Sequence, residues 1–183
     1  MKRKTARWKK TIKNLFITAF FWLIFQLTID KNLINHSIPV SQEEQFIEEL
    51  APYAQQLSDE YQVLPSIVMA QAILESDWGT SELAVVDNNY FGIKGDAEDP
   101  LYGTLEYEED WQMKDANFRS YDNMYESMQD YARLLHQGTT WNPSQYADVL
   151  AATNYLDAAR AMQAAGYATD PNYGEKLIEM IEL

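Results

Sequence analysis

Residues 73–79 read ILESDWG and place one carboxylate, Glu75, after an apolar run and beside Trp78 and Gly79. Apolar walls disfavour the charged form of a carboxyl and raise its pKa. A carboxyl that stays protonated near neutrality can serve as a general acid. The competing reading is a solvated glutamate at the end of a helix. Most glycosidic chemistry needs a second carboxylate, and TLEYEED (104–110) offers Glu106, Glu108, Glu109 and Asp110. In a strand, Glu106 and Glu108 share one face while Leu105 and Tyr107 take the other. Glu109 and Asp110 fit a solvated hairpin tip, whereas Glu106 sits inside the strand beside Thr104. Tyr167 and Tyr173, in GYATDPNY (166–173), can stack on a sugar face and donate hydrogen bonds, or can be two core tyrosines flanking a helix cap.

Other chemistries are poorly served. The chain has no cysteine, which removes thiolate catalysis, disulfides and Cys-based metal sites. Neither His36 nor His136 has a partner at metal-ligand spacing, so no metal site is implied. A phosphate loop, a nucleophile elbow and a dinucleotide fingerprint are all absent, and no cofactor is expected.

The elements that must position these residues follow from periodicity. Ser41 and Glu44 fit a capping box, and Phe46, Leu50, Tyr53, Leu57 and Tyr61 recur every three or four residues, so a first helix has one apolar face. Pro65 suits the first turn of a second helix, which runs through Ile67, Val68, Ala70 and Ile73 to Glu75 and ends at Trp78-Gly79. Ser81 starts a short third helix. Asn and Gly in NNYFGIKGD (88–96) supply turns. Residues 104–108 and 113–121 read as hairpin arms joined across Glu109 and Asp110. Asn123 and Glu126 form another capping box before the stripe Met124, Met128, Tyr131, Leu135. Two helices follow in 141–166, with Gly166 as a stop, and Asp170-Pro171 begins a last helix reaching Ile181. The expected class is α+β, mainly α: a helical domain with a small β-hairpin lobe, preceded by an N-terminal membrane segment.

Hydrophobic residues make up 46% of the 183 and aromatics 13%, which is a folding composition. The net charge of −14 is uneven. Residues 1–13 carry seven Lys and Arg and no acid, so the rest carries −21. So acidic a body would be repelled by nucleic acid, and no nucleic-acid partner is expected. The basic tail (1–13) is followed by an uncharged, apolar stretch within 14–30. That stretch is short for a full span of roughly 20 residues, but no A-x-A-like cleavage site follows it, which favours an uncleaved signal anchor over a cleaved signal. The basic flank stays cytoplasmic, residues after Asp30 lie outside, 31–40 form a linker, and 41–183 form the domain. The expected location is the cell membrane, single-pass, with the domain extracellular, or secretion if the segment is cleaved.

Five blocks resemble, in order, the signature of family 73 glycoside hydrolases: MAQAILESDWGTSELA (69–84), NNYFGIKG (88–95), TLEYEE (104–109), FRSY (118–121) and AGYATDPNY (165–173). These are the endo-β-N-acetylglucosaminidases of bacterial autolysins and flagellar wall-clearing proteins. The resemblance covers roughly 41–183. It implies a lysozyme-like fold with a β-lobe across a cleft, and cleavage of the N-acetylglucosaminyl-β-1,4-N-acetylmuramic acid bond of peptidoglycan. It implies that Glu75 is the general acid and Glu106 the second carboxylate. It also implies that Trp78, Asn89, Phe91, Tyr107, Tyr167 and Tyr173 meet the substrate. The family often has Gly or Ser where Asp77 stands, so Asp77 either raises the Glu75 pKa further or faces solvent. Two other readings stand beside this one: a lytic transglycosylase, which needs one acid, and a non-catalytic glycan-binding wall protein.

Overall fold

Helix α1 (Gln42–Tyr61) follows directly on Ser41 and buries Phe46, Leu50, Ala54 and Leu57 as its repeat requires. Helix α2 (Pro65–Ser76) starts at its proline and packs against α1. It is apolar nearly all round, and it buries Gln71 along with its aliphatic residues. The short α3 (Glu82–Asp87) is capped by Ser81, whose hydroxyl accepts from the Ala84 N–H at 3.2 Å. This computed structural model describes residues 40–183. Within it Gln42–Leu183 make one unit, and its core joins all the longer helices.

Strands β1 (Leu101–Glu108) and β2 (Asp110–Asn117) form a two-stranded antiparallel sheet. The hairpin differs from expectation at both arms. The register pairs Glu108 with Asp110 around Glu109, whose φ is +70°, so the turn takes one residue and β2 starts early. Residues 118–121 leave the sheet because their groups have other partners. Phe118 pairs with Lys94 in an isolated bridge, the Ser120 hydroxyl donates to Asp87 Oδ1 at 2.5 Å, and the Tyr121 hydroxyl donates to Asp130 at 2.8 Å. Asp87 also accepts from the Tyr102 hydroxyl, which fastens the base of the hairpin to the end of α3.

Helix α4 (Met124–Gln137) begins at the expected box. Asn123 accepts from the Glu126 N–H at 3.1 Å, while the Glu126 carboxylate reaches back to the Asp122 N–H at 3.3 Å. Helices α5 (Ala147–Ala151) and α6 (Tyr155–Ala164) come next, and Gly166 takes φ +71° just past the end of α6. Helix α7 (Tyr173–Glu182) starts two residues later than Asp170-Pro171 suggests. The Asp170 side chain closes the preceding turn by accepting from the Asn172 N–H at 2.8 Å. Helix α7 packs on both α2 and α6, which brings Tyr173 to Glu75. Among the described residues no helix is long and apolar enough to cross a membrane. The basic tail, the anchor and most of the 31–40 linker expected from sequence lie outside the described residues.

Candidate active site

Glu75 occupies the last turn of α2, half-buried, one turn after the buried Gln71. Its two oxygens have different surroundings. Oε1 accepts from the Tyr173 hydroxyl of α7 at 2.7 Å. Oε2 faces Gly92, where an added Cβ would stand 3.6 Å away. Desolvation pushes the Glu75 carboxyl up to about 7, against smaller downward pulls from the Tyr173 hydroxyl and the Lys176 ammonium. The acid is therefore half protonated near neutrality, as the apolar run before it suggests.

The turn after Glu75 is built to end the helix abruptly. Asp77, Trp78 and Gly79 all have positive φ (+49°, +56°, +75°). The Trp78 N–H returns to the Ile73 carbonyl at 3.1 Å, and the Ser76 hydroxyl accepts from the Gly79 N–H at 2.8 Å. Gly79 is required twice: for its φ, and because a Cβ there would come within 2.7 Å of the Phe46 ring. Trp78 is thereby held half-buried, three residues after Glu75. Asp77 is exposed and accepts from the Thr80 hydroxyl, so it faces solvent rather than Glu75.

Aromatic rings form the floor of the site. Tyr167 stacks on Tyr173 (centroids 6.0 Å, 16°) and meets Tyr131 and Tyr146 edge-on. Its hydroxyl donates to the Phe91 carbonyl at 2.9 Å. Phe91 lies flat on Tyr131 at 4.2 Å. Burial raises the pKa of Tyr131, Tyr167 and Tyr173 well above the ordinary value, so all three stay protonated.

The second carboxylate stands in a different environment. Glu106 pairs with Lys94 and lies 3.9 Å from Lys114. The Lys94 hydrogen bond holds its carboxyl below the usual range, with burial opposing. Glu108 sits on the same strand face and pairs with Lys114. Next along β1, the Tyr107 N–H donates to Thr169 Oγ1 at 2.9 Å, which ties the hairpin to the loop between Tyr167 and Tyr173. The Tyr107 ring is half-buried and edge-on to Trp111.

Three residues expected to meet substrate, Asn89, Phe91 and Tyr173, are inside the protein. Asn89 is fully buried; its amide donates to the Ile93 and Arg119 carbonyls and accepts from the Phe91 and Ile93 N–H groups. Phe91 is 1% exposed. Both shape the loop that carries Gly92, and neither has a free surface for a sugar. Trp78, Tyr107 and Tyr167 remain partly accessible, and Tyr173 is buried with its hydroxyl on Glu75. Sequence reasoning missed Gln71, Lys94 and Lys176. Only Gln71 had a local signal, an amide four residues before Glu75 inside an apolar helix.

Known proteins resemble the chain along most of its length. The family model described as mannosyl-glycoprotein endo-beta-N-acetylglucosaminidase matches residues 51–183. The chain is 41% identical over 191 residues to the exo-glucosaminidase LytG of Bacillus subtilis, covering all of this chain and 67% of LytG. It is 39% identical over 143 residues to a probable N-acetylmuramidase of Lactococcus lactis, covering 75% of this chain and 33% of that protein. The catalytic domain of the autolysin Auto from Listeria monocytogenes superposes with a TM-score of 0.72 at 34% identity, covering 86% of this chain and 92% of that domain.

Proposed function

This chain belongs to the mannosyl-glycoprotein endo-beta-N-acetylglucosaminidase family of glycoside hydrolases, and on that premise we propose that it hydrolyses the N-acetylglucosaminyl-β-1,4-N-acetylmuramic acid bond of peptidoglycan. The observation that carries the reading is the contrast between two carboxyls. Desolvation holds Glu75 at about 7, while Lys94 holds Glu106 low. Environments that push two carboxyls apart give one acid and one carboxylate at the same pH. Glu75 donates its proton to the glycosidic oxygen. Glu106, ionised, activates water or stabilises positive charge developing on the sugar. Trp78, Tyr107 and Tyr167 offer ring faces and polar edges to the glycan, and Tyr173 steadies the Glu75 carboxylate left after proton transfer.

The chain acts outside the membrane in this reading. The uncharged stretch within 14–30 anchors it, the basic tail at 1–13 stays cytoplasmic, and the linker 31–40 joins the anchor to the domain from 41.

Mass analysis of products from purified peptidoglycan tests the bond cleaved. Reducing-end N-acetylglucosamine, absent with Glu75→Gln, is expected. Reducing-end N-acetylmuramic acid would make the chain a muramidase, as the name of its Lactococcus relative suggests. Anhydromuramic ends would make it a lytic transglycosylase, and no release would make it a binding protein. Removing the general acid should slow turnover roughly 10²–10⁴-fold, and near-normal turnover by Glu75→Gln would refute the assignment.

A further inference from the structure

Beneath Glu75 runs a chain of buried hydrogen bonds that the two carboxylates do not account for. Gln71 is fully buried, one helical turn before Glu75. Its Nε2 donates to the Tyr173 hydroxyl oxygen at 2.9 Å, and its Oε1 accepts from the Tyr131 hydroxyl. Tyr173 in turn donates to Glu75 Oε1 at 2.7 Å. A tyrosine hydroxyl has a single proton. With Gln71 donating to it, Tyr173 has its proton directed at Glu75. Glu75 Oε1 is then an acceptor, and a proton on the neutral acid belongs on Oε2, the oxygen that faces Gly92.

We propose that Gln71 is a positioning residue for catalysis: held by Tyr131, it sets the polarity of the chain Tyr131–Gln71–Tyr173–Glu75 so that the transferable proton stands on Glu75 Oε2. The proposal rests on the reading of Glu75 as the general acid. Three features support it. Among the described residues, no buried side-chain polar atom lacks a partner, so every member of the chain is committed. Tyr131 lies flat on Phe91 at 4.2 Å, which fixes the ring whose hydroxyl orients the amide. Gly92 has φ +60° and no side chain, which leaves room on the Oε2 side for the oxygen that takes the proton. The same polarity serves after transfer, because the Tyr173 proton already points at the new carboxylate. Freed from Gln71, the Tyr173 hydroxyl can turn and accept the Glu75 proton, which removes it from the Gly92 side.

The test compares kcat, KM and the alkaline limb of the kcat/KM profile on purified peptidoglycan for the full chain, Gln71→Met, Tyr131→Phe, Tyr173→Phe and the double variant Gln71→Met/Tyr173→Phe. The groups coupled to Glu75 are Tyr173 and Lys176 of α7, Tyr131 of α4, and Tyr167 of the loop before α7. The series alters the Gln71 amide and the Tyr131 and Tyr173 hydroxyls, and Lys176 is kept. Gln71→Met should lower kcat by about tenfold, short of the loss from removing the acid itself, with KM nearly unchanged. Its alkaline limb should move up in pH, as in Tyr173→Phe, because both variants lose a fixed donor to the carboxylate. Tyr131→Phe, which changes no carbon volume, should move it the same way by less, and it carries the comparison if Gln71→Met does not fold. The double variant should match Tyr173→Phe alone. The proposal is overturned if Gln71→Met slows turnover as much in the Tyr173→Phe background as in the parent, or if neither Gln71→Met nor Tyr131→Phe moves the limb. Normal turnover by Glu75→Gln would instead remove the acid on which the proposal rests.

Discussion

Desolvation holds Glu75 at about 7 in the fold, against an ordinary 4.5 for the free side chain. Between those values the folded chain keeps a proton that the unfolded chain has released. The contribution of Glu75 to stability is therefore complete below about 4.5, declines as pH rises through the window, and is flat above about 7. A shift of that size is worth roughly 3 kcal/mol as an upper figure. Glu75→Gln should thus melt several degrees above the parent at pH 8 and level with it near pH 4, while being inactive at both. Equal melting at pH 8 would show that the acid is better solvated than its position suggests. Glu106 has the opposite setting. Its Lys94 partner keeps it ionised, so Glu106→Gln should lose turnover and regain part of it with azide or formate in place of activated water. Full activity without rescue would move the role to Glu108. The raised pKa of Glu75 was legible from sequence because its apolar run is local. The hydroxyls and amide around it were not, because Gln71–Tyr131, Glu75–Tyr173 and Gln71–Tyr173 lie 60, 98 and 102 residues apart.

The side-chain caps at Ser81 and Asn123 could be read from their motifs, since a cap is satisfied within three or four residues, whereas the Asn154 cap of α6 was not read. The hairpin was legible as alternation, but its ends were not. Glu109 adopts a left-handed conformation that non-glycine residues rarely signal, and Phe118, Ser120 and Tyr121 are drawn off by Lys94, Asp87 and Asp130. The turn after α2 makes the sharpest prediction for an element. Gly79→Ala forces a methyl against the Phe46 ring at a φ of +75°. It should destabilise the fold by about 1–3 kcal/mol and lower kcat/KM by shifting Trp78, read by chemical denaturation and by turnover. The double variant Gly79→Ala/Phe46→Leu should recover part of the stability by relieving the contact but not the φ strain. No recovery would mean that strain alone dominates.

Among the described residues the core begins at Phe46 and runs to Ile178, and the prediction is that a chain starting at Ser41 folds with the melting point of the full protein and hydrolyses isolated walls at the same rate. A large drop in either would mean that residues 1–40 contribute to the domain. In cells the full chain should fractionate with membranes. A shortened form in the medium would identify 14–30 as a cleaved signal. If the proposed anchor holds, a linker of about ten residues would span at most ~35 Å, and the full chain should then release less glycan from intact walls than from wall fragments. The rings beneath Glu75 have an optical consequence as well. Phe91, Tyr131, Tyr146, Tyr167 and Tyr173 are fixed at neighbour separations of 4.2–6.2 Å in a chiral array. Such chromophores should give the protein a near-ultraviolet dichroism that vanishes when side-chain packing is lost. Because these rings also hold the Glu75 partners, that band is a substrate-free reporter of whether the floor beneath Glu75 is assembled.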